Sequence, residues 1–162
     1  MKIFSWKSIS PTAFINKGWE TFTKLPYGNH FFSKIVGKFI PYTGSISPLV
    51  QKIEAGHAEV KLKDKKAVRN HLNSIHAIAL ANLGEFTTGL SIISQLNDTA
   101  KAILVKIEIE YFKKAKGDVI ADAVSQIPKN MLQDTELTVA ANIKNSQHEL
   151  VCRVTAVWRI RP

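Results

Sequence analysis

The chain has 162 residues, 45% of them hydrophobic and 22% charged, which is the composition of a globular domain with one substantial core. Cys152 is the single cysteine, so an internal disulfide is excluded and nothing indicates an oxidising compartment. Without a Cys pair or closely spaced histidines, we expect no metal site. The apolar run near the first residue is too short for a signal peptide, and no stretch approaches the roughly 20 apolar residues of a membrane span. We expect a cytoplasmic protein.

The formal net charge of +9 favours an anionic partner, such as nucleic acid, an anionic membrane or a phosphorylated small molecule. The basic residues form short clusters at 61–69, 113–116 and 153–161. Clusters on separate elements suit a small polyanion as well as a duplex. A solvated basic surface explains them too, so we expect neither nucleic acid nor a membrane as the partner.

Two helices are predicted before residue 41. The first covers residues 10–25, where Ser10 can cap the helix and Pro11 fits its first position. The second runs through residues 31–40 and ends before Pro41. Aromatic helices with lysines can lie on membranes, but we expect both to dock on the domain and cover an apolar opening. Residues 1–40 would form a helical extension and residues 41–162 the main domain.

From residue 44 onward, apolar residues recur with the period of two that is typical of strands. Pro48 falls within the first predicted strand and indicates an edge strand or a bulge. A good hairpin turn is predicted at residues 145–148. The predicted strands are 46–53, 57–63, 103–110, a weaker run at 117–127, 136–143 and 150–159. The predicted class is α+β, an antiparallel sheet curled round one long helix, with two extra N-terminal helices.

That helix is predicted to run from Ile75 towards Gln95, and it is apolar almost all round, which indicates burial in the core. Glu85 is its polar exception, and a buried carboxylate is rare unless it is paired or functional. His76 lies nine residues earlier, which is half a turn round the helix and roughly 13 Å along it. One copy cannot bring both side chains to one reacting atom, whereas two antiparallel copies can. If these residues share a site, we expect a symmetric dimer with that site between subunits.

The segment NHLNSIHAIALANLGEFTTG resembles the signature of hotdog-fold acyl-CoA thioesterases, in particular their phenylacetyl-CoA thioesterase-like branch. That branch shows an Asn, a His six residues later followed by Gly-Gly, and an acid nine residues beyond the His. The matching positions here are Asn70, His76 and Glu85. The flanking PYTGSI, EAGHAEVKL and YFKKAKGD are similar to a hotdog branch of proposed thioesterases. The resemblance covers roughly residues 41–161 and implies a hotdog fold.

The resemblance further implies a hydrolase that cleaves the thioester of an acyl-CoA or an acyl carrier protein, as a homodimer or a dimer of dimers. Coenzyme A would enter only as part of the substrate, with no other cofactor. Glu85 would activate water as general base or attack as nucleophile, and Asn70 would orient the water or the carbonyl. Backbone N–H groups from His76 to Ile78 would polarise the carbonyl. Elementary chemistry agrees, because burial raises a carboxylate's pKa and helix-start donors stabilise an oxyanion.

The chain departs from this pattern at two places. Ala77 and Ile78 replace the Gly-Gly pair, which keeps the backbone donors but adds a β-branched side chain. Some relatives carry a hydroxyl residue four positions after the acid, where this chain has Gly89, and we expect Thr88 to substitute. The altered pair and the aromatic N-terminal helices leave an alternative open, a non-catalytic hotdog protein that binds a fatty acyl ligand or a partner.

Three lysines after a predicted strand end are the expected contacts to the coenzyme A phosphates. They are Lys113, Lys114 and Lys116. Lysine binds phosphate as a point charge and demands little geometry. A solvated turn accounts for them equally well. Cys152 lies on the apolar side of a predicted strand, and we expect it to be an inert core residue.

Overall fold

A computed structural model describes residues 10–128 and 131–162. Within them the chain forms four α-helices, a short 3₁₀ turn and six strands. In chain order they are α1 (Pro11–Phe22), α2 (Gly28–Phe39), α3 (Pro41–Ile46), β1 (Leu49–Glu54), β2 (His57–Leu62), the 3₁₀ turn (Lys66–Val68), α4 (Ala77–Ile93), β3 (Lys101–Tyr111), β4 (Val119–Val124), β5 (Thr135–Asn145) and β6 (Leu150–Arg161). No helix among the described residues has the length and apolar character needed to cross a membrane.

The six strands form one antiparallel sheet in the order β1-β2-β4-β5-β6-β3, with α4 packed against it. The predicted α+β class is confirmed. The hairpin between β5 and β6 is also where it was predicted. The side-chain oxygen of Asn145 accepts hydrogen bonds from the backbone N–H groups of Gln147 and Glu149, each at 3.0 Å. This Asn turn fixes the register of the two strands.

The two N-terminal helices pack on the domain, as predicted. The Ser10 hydroxyl caps α1 by accepting from the Ala13 N–H at 3.1 Å. Ile15 of α1 and Phe32 and Val36 of α2 are buried in the same apolar cluster as residues of α4 and the sheet. Trp19 meets Phe32 edge to face, with 5.2 Å between the ring centroids. The extension therefore contributes to the core.

The segment before β1 differs from its prediction. Residues 41–46 form a helix, and the strand begins at Leu49 rather than at residue 46. Pro41 sits in the first turn of α3, and Ser47 ends the helix in the left-handed conformation with φ 52°. The sheet register shifts between Val50 and Lys52. β1 is an edge strand as Pro48 indicated, but the irregularity lies beyond the proline.

Helix α4 begins at Ala77, two residues later than predicted, because Ile75 is held in a β-bridge with Arg69. Thirteen of its 17 residues are buried, since the sheet, α1 and α3 pack against it. The four residues that are not buried are Ala77, Ile78, Glu85 and Ile93. The part of α4 that is not buried therefore includes its first two residues and its only acid.

Strand β3 forms the other edge of the sheet. The sequence places Ile103, Val105, Ile107 and Ile109 on one apolar face. In the structure the register shifts between Leu104 and Lys106, which breaks the alternation. Leu104 packs into the core, whereas Ile103 and Val105 are 50% and 46% exposed. The residues predicted to share one apolar face therefore lie on both faces of β3. Ile103 and Val105 face solvent, whereas Ile109 packs against the core.

Gly84 tests how tightly α4 packs on the sheet. A Cβ at Gly84 would lie 2.4 Å from Cγ2 of Val154 and 2.5 Å from its Cβ. We expect Gly84→Ala to destabilise the protein by about 1–3 kcal/mol, because overpacking outweighs the gain in helix propensity. Urea denaturation at one fixed protein concentration measures this change.

Gly18→Ala is the matched control. It is also a helical glycine, but its Cβ would meet only the edge of the Phe32 ring, at 3.3 Å. Equal urea midpoints for wild type and Gly84→Ala would contradict the close packing of α4 on β6.

Candidate active site

The start of α4 is held by a loop that Asn70 organises. The Oδ1 atom of Asn70 accepts from the backbone N–H of Leu72 at 2.9 Å and of Ser74 at 3.2 Å. The His76 N–H donates to the Val68 carbonyl at 2.8 Å. Asn70 therefore has a structural duty through its oxygen. Its Nδ2 amide donates to no acceptor within the described part of the chain.

His76 is the N-cap of α4. Its Nδ1 atom accepts a hydrogen bond from the Ile78 N–H at 3.1 Å, so the ring proton sits on Nε2 in this arrangement. The His76 carbonyl accepts from the Ala79 and Leu80 N–H groups at 2.9 and 3.2 Å. Of the first three backbone N–H groups of α4, those of Ile78 and Ala79 donate to His76. The Ala77 N–H has no acceptor within residues 10–128 and 131–162. The predicted donor set from His76 to Ile78 thereby narrows to Ala77.

A cleft of about 280 Å³ lies beside the helix start and brings together residues from distant parts of the sequence. Asn70, Ala77, Lys113 and Lys114 line it, but Lys116 does not. Tyr111 also lines it, and its hydroxyl donates to the Ala77 carbonyl at 3.0 Å. The sequence prediction missed Tyr111. Its only signal was its place at a strand end directly before the lysine cluster.

The cleft lysines differ in their partners. The Lys113 ammonium pairs with the Glu149 carboxylate, with 2.5 Å between Nζ and Oε1. This pair holds the pKa of the Glu149 carboxyl below its usual value. Lys114 and Lys116 are exposed, and within the described residues neither forms an ion pair. Lys113 is thus less available to a phosphate than the sequence suggests.

A second groove, of about 250 Å³, runs along the other side of the helix start. His76, Ile78, Arg69, Tyr42 and Asn82 contribute to its walls. The Ile78 side chain is 52% exposed there. The first turn of α4 thus stands between two shallow grooves, and the β-branched residue that replaces a glycine projects on one side.

Glu85 lies on the same face of α4 as Ile78, because seven residues make almost two full turns, or roughly 10.5 Å. Its carboxyl is largely buried, and burial raises its pKa from the ordinary 4.5. No group in the described residues donates a hydrogen bond to this carboxylate or pairs with it. Glu85 lines neither groove. One chain alone therefore does not unite Glu85 with Asn70 and His76, as their spacing predicts.

Thr88 is placed inside the core rather than at an open surface. Its hydroxyl donates to the Glu85 carbonyl at 2.8 Å and accepts from the indole N–H of Trp158 at 3.1 Å. A Cβ on Gly89 would lie 3.2 Å from the Trp158 ring. The Trp158 indole thus packs against α4 at Thr88 and Gly89, the two positions considered for the hydroxyl residue of the pattern. We therefore leave Thr88 out of the proposed site.

A possible set of metal ligands lies elsewhere, on the outer face of the sheet. Ligand atoms of His57, Glu59 and Asp122 are all within 4.8 Å of one another. The His57 Nε2 is already 2.6 Å from a carboxylate oxygen of Asp122. These side chains alternate along β2 and β4 with buried residues that face α4. A hydrogen bond between His57 and Asp122 explains their contact, and these residues line neither groove at the helix start.

The antiparallel sheet wrapped round α4, with an acid on the middle of that helix, defines a hotdog-fold protein. A structural-genomics crystal structure is similar at 29% identity, over 92% of this chain and 99% of that one, with a TM-score of 0.79. A thioesterase from Staphylococcus aureus is similar at 18% identity, over 75% and 99% of the two chains, with a TM-score of 0.67. The phenylacetic acid degradation protein PaaI of Thermus thermophilus is similar at 16% identity, over 74% and 97%, with a TM-score of 0.63.

The chain belongs to the DUF4442 family, described as a domain of unknown function, whose sequence profile matches residues 28–160. The match includes α2, so that helix is part of the family unit. A comparison with curated proteins gave no match. The structural similarities confirm the predicted hotdog fold and its likeness to thioesterases. The boundary at residue 40 and the roles of the site residues remain predictions.

The raised pKa of Glu85 has a consequence for stability. A carboxyl whose folded pKa lies above its unfolded value binds its proton more tightly when folded. It therefore stabilises the fold below the unfolded pKa, near 4.5, and this contribution is lost as the pH rises through the folded pKa. We expect Glu85→Gln to raise the free energy of unfolding at pH 8 by about 0.5–2 kcal/mol and to change it little at pH 4.

Urea denaturation of both proteins at the two pH values checks this difference. Greater stability of the wild type at pH 8 would contradict it, because a donor would then have to hold the ionised carboxylate.

Proposed function

We propose that this protein is a thioesterase that hydrolyses an acyl-CoA or acyl carrier protein thioester. One observation carries the proposal. On a fold shared with thioesterases, the middle of the buried helix carries a carboxylate that is largely desolvated and has no partner in the described residues. Burying an unpaired carboxyl there destabilises the fold. A catalytic role would explain why Glu85 lies at this position.

The proposed reaction uses Glu85 as the base. Its carboxylate takes a proton from water while the water oxygen attacks the thioester carbon, and negative charge develops on the carbonyl oxygen. Collapse of this intermediate breaks the carbon–sulfur bond and leaves the carboxylic acid. The departing thiolate takes up the proton that Glu85 received from water. Direct attack by the carboxylate, followed by hydrolysis of the anhydride, reaches the same products.

The Ala77 N–H is the proposed donor to the developing oxyanion. It lies at the positive end of α4 and is free of an acceptor within the described chain. Tyr111 and the Asn70 loop hold this turn in place. The free Nδ2 amide of Asn70 can orient the water or the carbonyl. A preorganised donor of this kind typically contributes about a hundredfold to a thousandfold in rate.

The proposed site lies between two subunits, because Ile78 and Glu85 of one chain are two helical turns apart. β3 offers a means of assembly. It is an 11-residue edge strand whose second side pairs with no described strand. Its exposed Ile103, Val105 and Ile107 would promote aggregation of a monomer. Antiparallel pairing of two β3 strands about a two-fold axis would extend the sheet and cover them. The start of one α4 could then approach the Glu85 of the other.

Activity should depend on pH in the direction set by Glu85. The base must be ionised, so the rate should fall as the pH drops through its pKa. Because burial raises that pKa, we place the midpoint of the acid limb above 4.5.

The second candidate is a non-catalytic protein that binds an acyl ligand. The half-exposed Ile78 side chain favours it, because it stands next to the Ala77 N–H that the carbonyl must reach. Binding of acyl-CoA without release of free thiol would support this candidate over hydrolysis.

The test of hydrolysis is thiol release from a panel of short, long and aromatic acyl-CoA substrates. Cys152 is fully buried, and burial raises its pKa to about 11, so it should not react with a thiol reagent in the folded protein. We expect Glu85→Gln to lower kcat by about 10²–10⁴, the range for a lost general base. Glu20→Gln, which removes an exposed acid on α1, should retain the wild-type rate.

If the wild type and Glu85→Gln are equally slow on every substrate, the thioesterase proposal fails. Tight binding in that case would favour the acyl-binding candidate.

A further inference from the structure

A groove of about 520 Å³ lies between α2 and the segment that follows β2, and lysines surround it. Lys34 and Lys38 come from α2, and Lys63 and Lys65 come from the opposite wall. His30 stands at its rim, and no acidic residue is among its described lining. The sequence clusters alone did not reveal this groove, because its lysines are about 30 residues apart in the chain.

Local geometry puts each pair of lysines on one side. Lys34 and Lys38 are four residues apart on a helix and share a face. Lys63 and Lys65 are two residues apart in an extended segment, so they point to the same side. Asp64 between them is directed elsewhere, with its carboxylate 2.6 Å from the Arg69 Nε and 2.8 Å from the Gly117 N–H. The Asp64 carboxylate is thus paired with groups outside the groove.

A contact between two glycines sets the position of α2 against α3. A Cβ on Gly44 would lie only 2.0 Å from the carbonyl oxygen of Gly37, so any side chain there would separate the helices. Pro48 and Leu49 add apolar surface to the same groove. The lysines of α2 are therefore held over a fixed wall.

The groove carries an excess of positive charge, although the Asp118 carboxylate interacts electrostatically with Lys63. None of its four lysines forms an ion pair with a residue at 10–128 or 131–162. Lys61 and Lys113, by contrast, are bonded to Asp118 at 2.8 Å and to Glu149 at 2.5 Å. Four cations facing one cavity repel one another, and a bound polyanion would relieve that repulsion. The cavity volume lies in the range of about 300–1,000 Å³ that is typical of small-molecule sites.

The groove adjoins the start of α4. The chain passes from Lys65 in the lysine groove to Ala67, Val68 and Arg69, which line the groove beside His76 and Ile78. α3 stands between the two, contributing Gly44 to one and Ser45 to the other. A ligand anchored by its phosphates among the lysines could therefore extend a flexible arm past α3 to the helix start.

We propose that the lysine groove binds the phosphorylated nucleotide end of a coenzyme A thioester. This inference rests on the proposed function and assigns its substrate class, a coenzyme A thioester rather than a carrier protein. It also moves the expected phosphate contacts away from the cluster at 113–116, where Lys113 is already paired. Because α2 contributes half of the lysines, the N-terminal helices would form part of the substrate site.

The test measures binding without any thioester. Isothermal titration calorimetry with coenzyme A and with 3′-phosphoadenosine 5′-diphosphate compares the full-length wild type with two variants, Lys34→Gln/Lys38→Gln and Lys63→Gln/Lys65→Gln. We expect each variant to weaken both ligands about tenfold, since two partly exposed charge pairs together supply about that factor. Affinity of the wild type should also fall as salt is raised.

The charge-matched control is Lys24→Gln/Lys144→Gln, which removes two exposed lysines outside the groove and should bind like the wild type. Circular dichroism and the thermal midpoint verify that every variant is folded. An equal loss in the control would show a general effect of net charge and would overturn the proposal. So would wild-type affinity in both groove variants, or no binding by the wild type.

A DNA duplex serves as a competitor of another class. If the duplex binds more tightly than coenzyme A and loses affinity in the same variants, the groove belongs to nucleic acid and the proposal is wrong. Failure of the proposed function is distinguishable. Groove-dependent binding with no thiol release supports the groove but not the thioesterase, and normal turnover with unchanged KM in both groove variants shows the reverse.

Discussion

The burial of α4 is the constraint on which the rest of the structure depends. The sheet, α1 and α3 pack against it, and only Ala77, Ile78, Glu85 and Ile93 of the helix are not buried. Gly84 allows β6 to approach closely, and Trp158 closes the side at Thr88 and Gly89. A polar side chain on such a buried helix has little access to solvent. The one acid that α4 carries is therefore largely desolvated but not fully buried, an environment that suits the proposed general base.

The same constraint explains why the proposed site requires a second subunit. α4 is one continuous helix over Ala77–Ile93, so its positive end and its acid stay about two turns apart within one chain. A partner related by a two-fold axis can bring its helix start to that acid without distorting either helix. Among the described strands β3 pairs only with β6, and its other edge, with exposed aliphatic residues, is the proposed contact. Fold, edge strand and acid thus favour one arrangement.

Much of this could be predicted from the sequence, because periodicity reports burial. The apolar helix round Glu85 and the alternating strands indicated the fold, and the spacing of Asn70, His76 and Glu85 predicted that one chain does not bring these residues together. Features set by tertiary contacts were missed. The helix at Pro41–Ile46, packed closely on α2 at Gly37 and Gly44, was not predicted, and the register shift in β3 divides an apolar face. Nothing local in the sequence shows that Trp158 occupies the Thr88 hydroxyl, or that α2 brings two lysines to Lys63 and Lys65.

The most direct test of an intersubunit site is complementation between two damaged subunits. Glu85→Ala and Asn70→Ala are coexpressed with different affinity tags, and the heterodimer is isolated through both tags. If each site takes its acid from one subunit and its helix start from the other, the heterodimer has one intact site of two. It should then release thiol at about half the wild-type rate, while both parent homodimers remain far slower. A heterodimer no faster than its parents, or a protein that is monomeric in solution, would contradict the account.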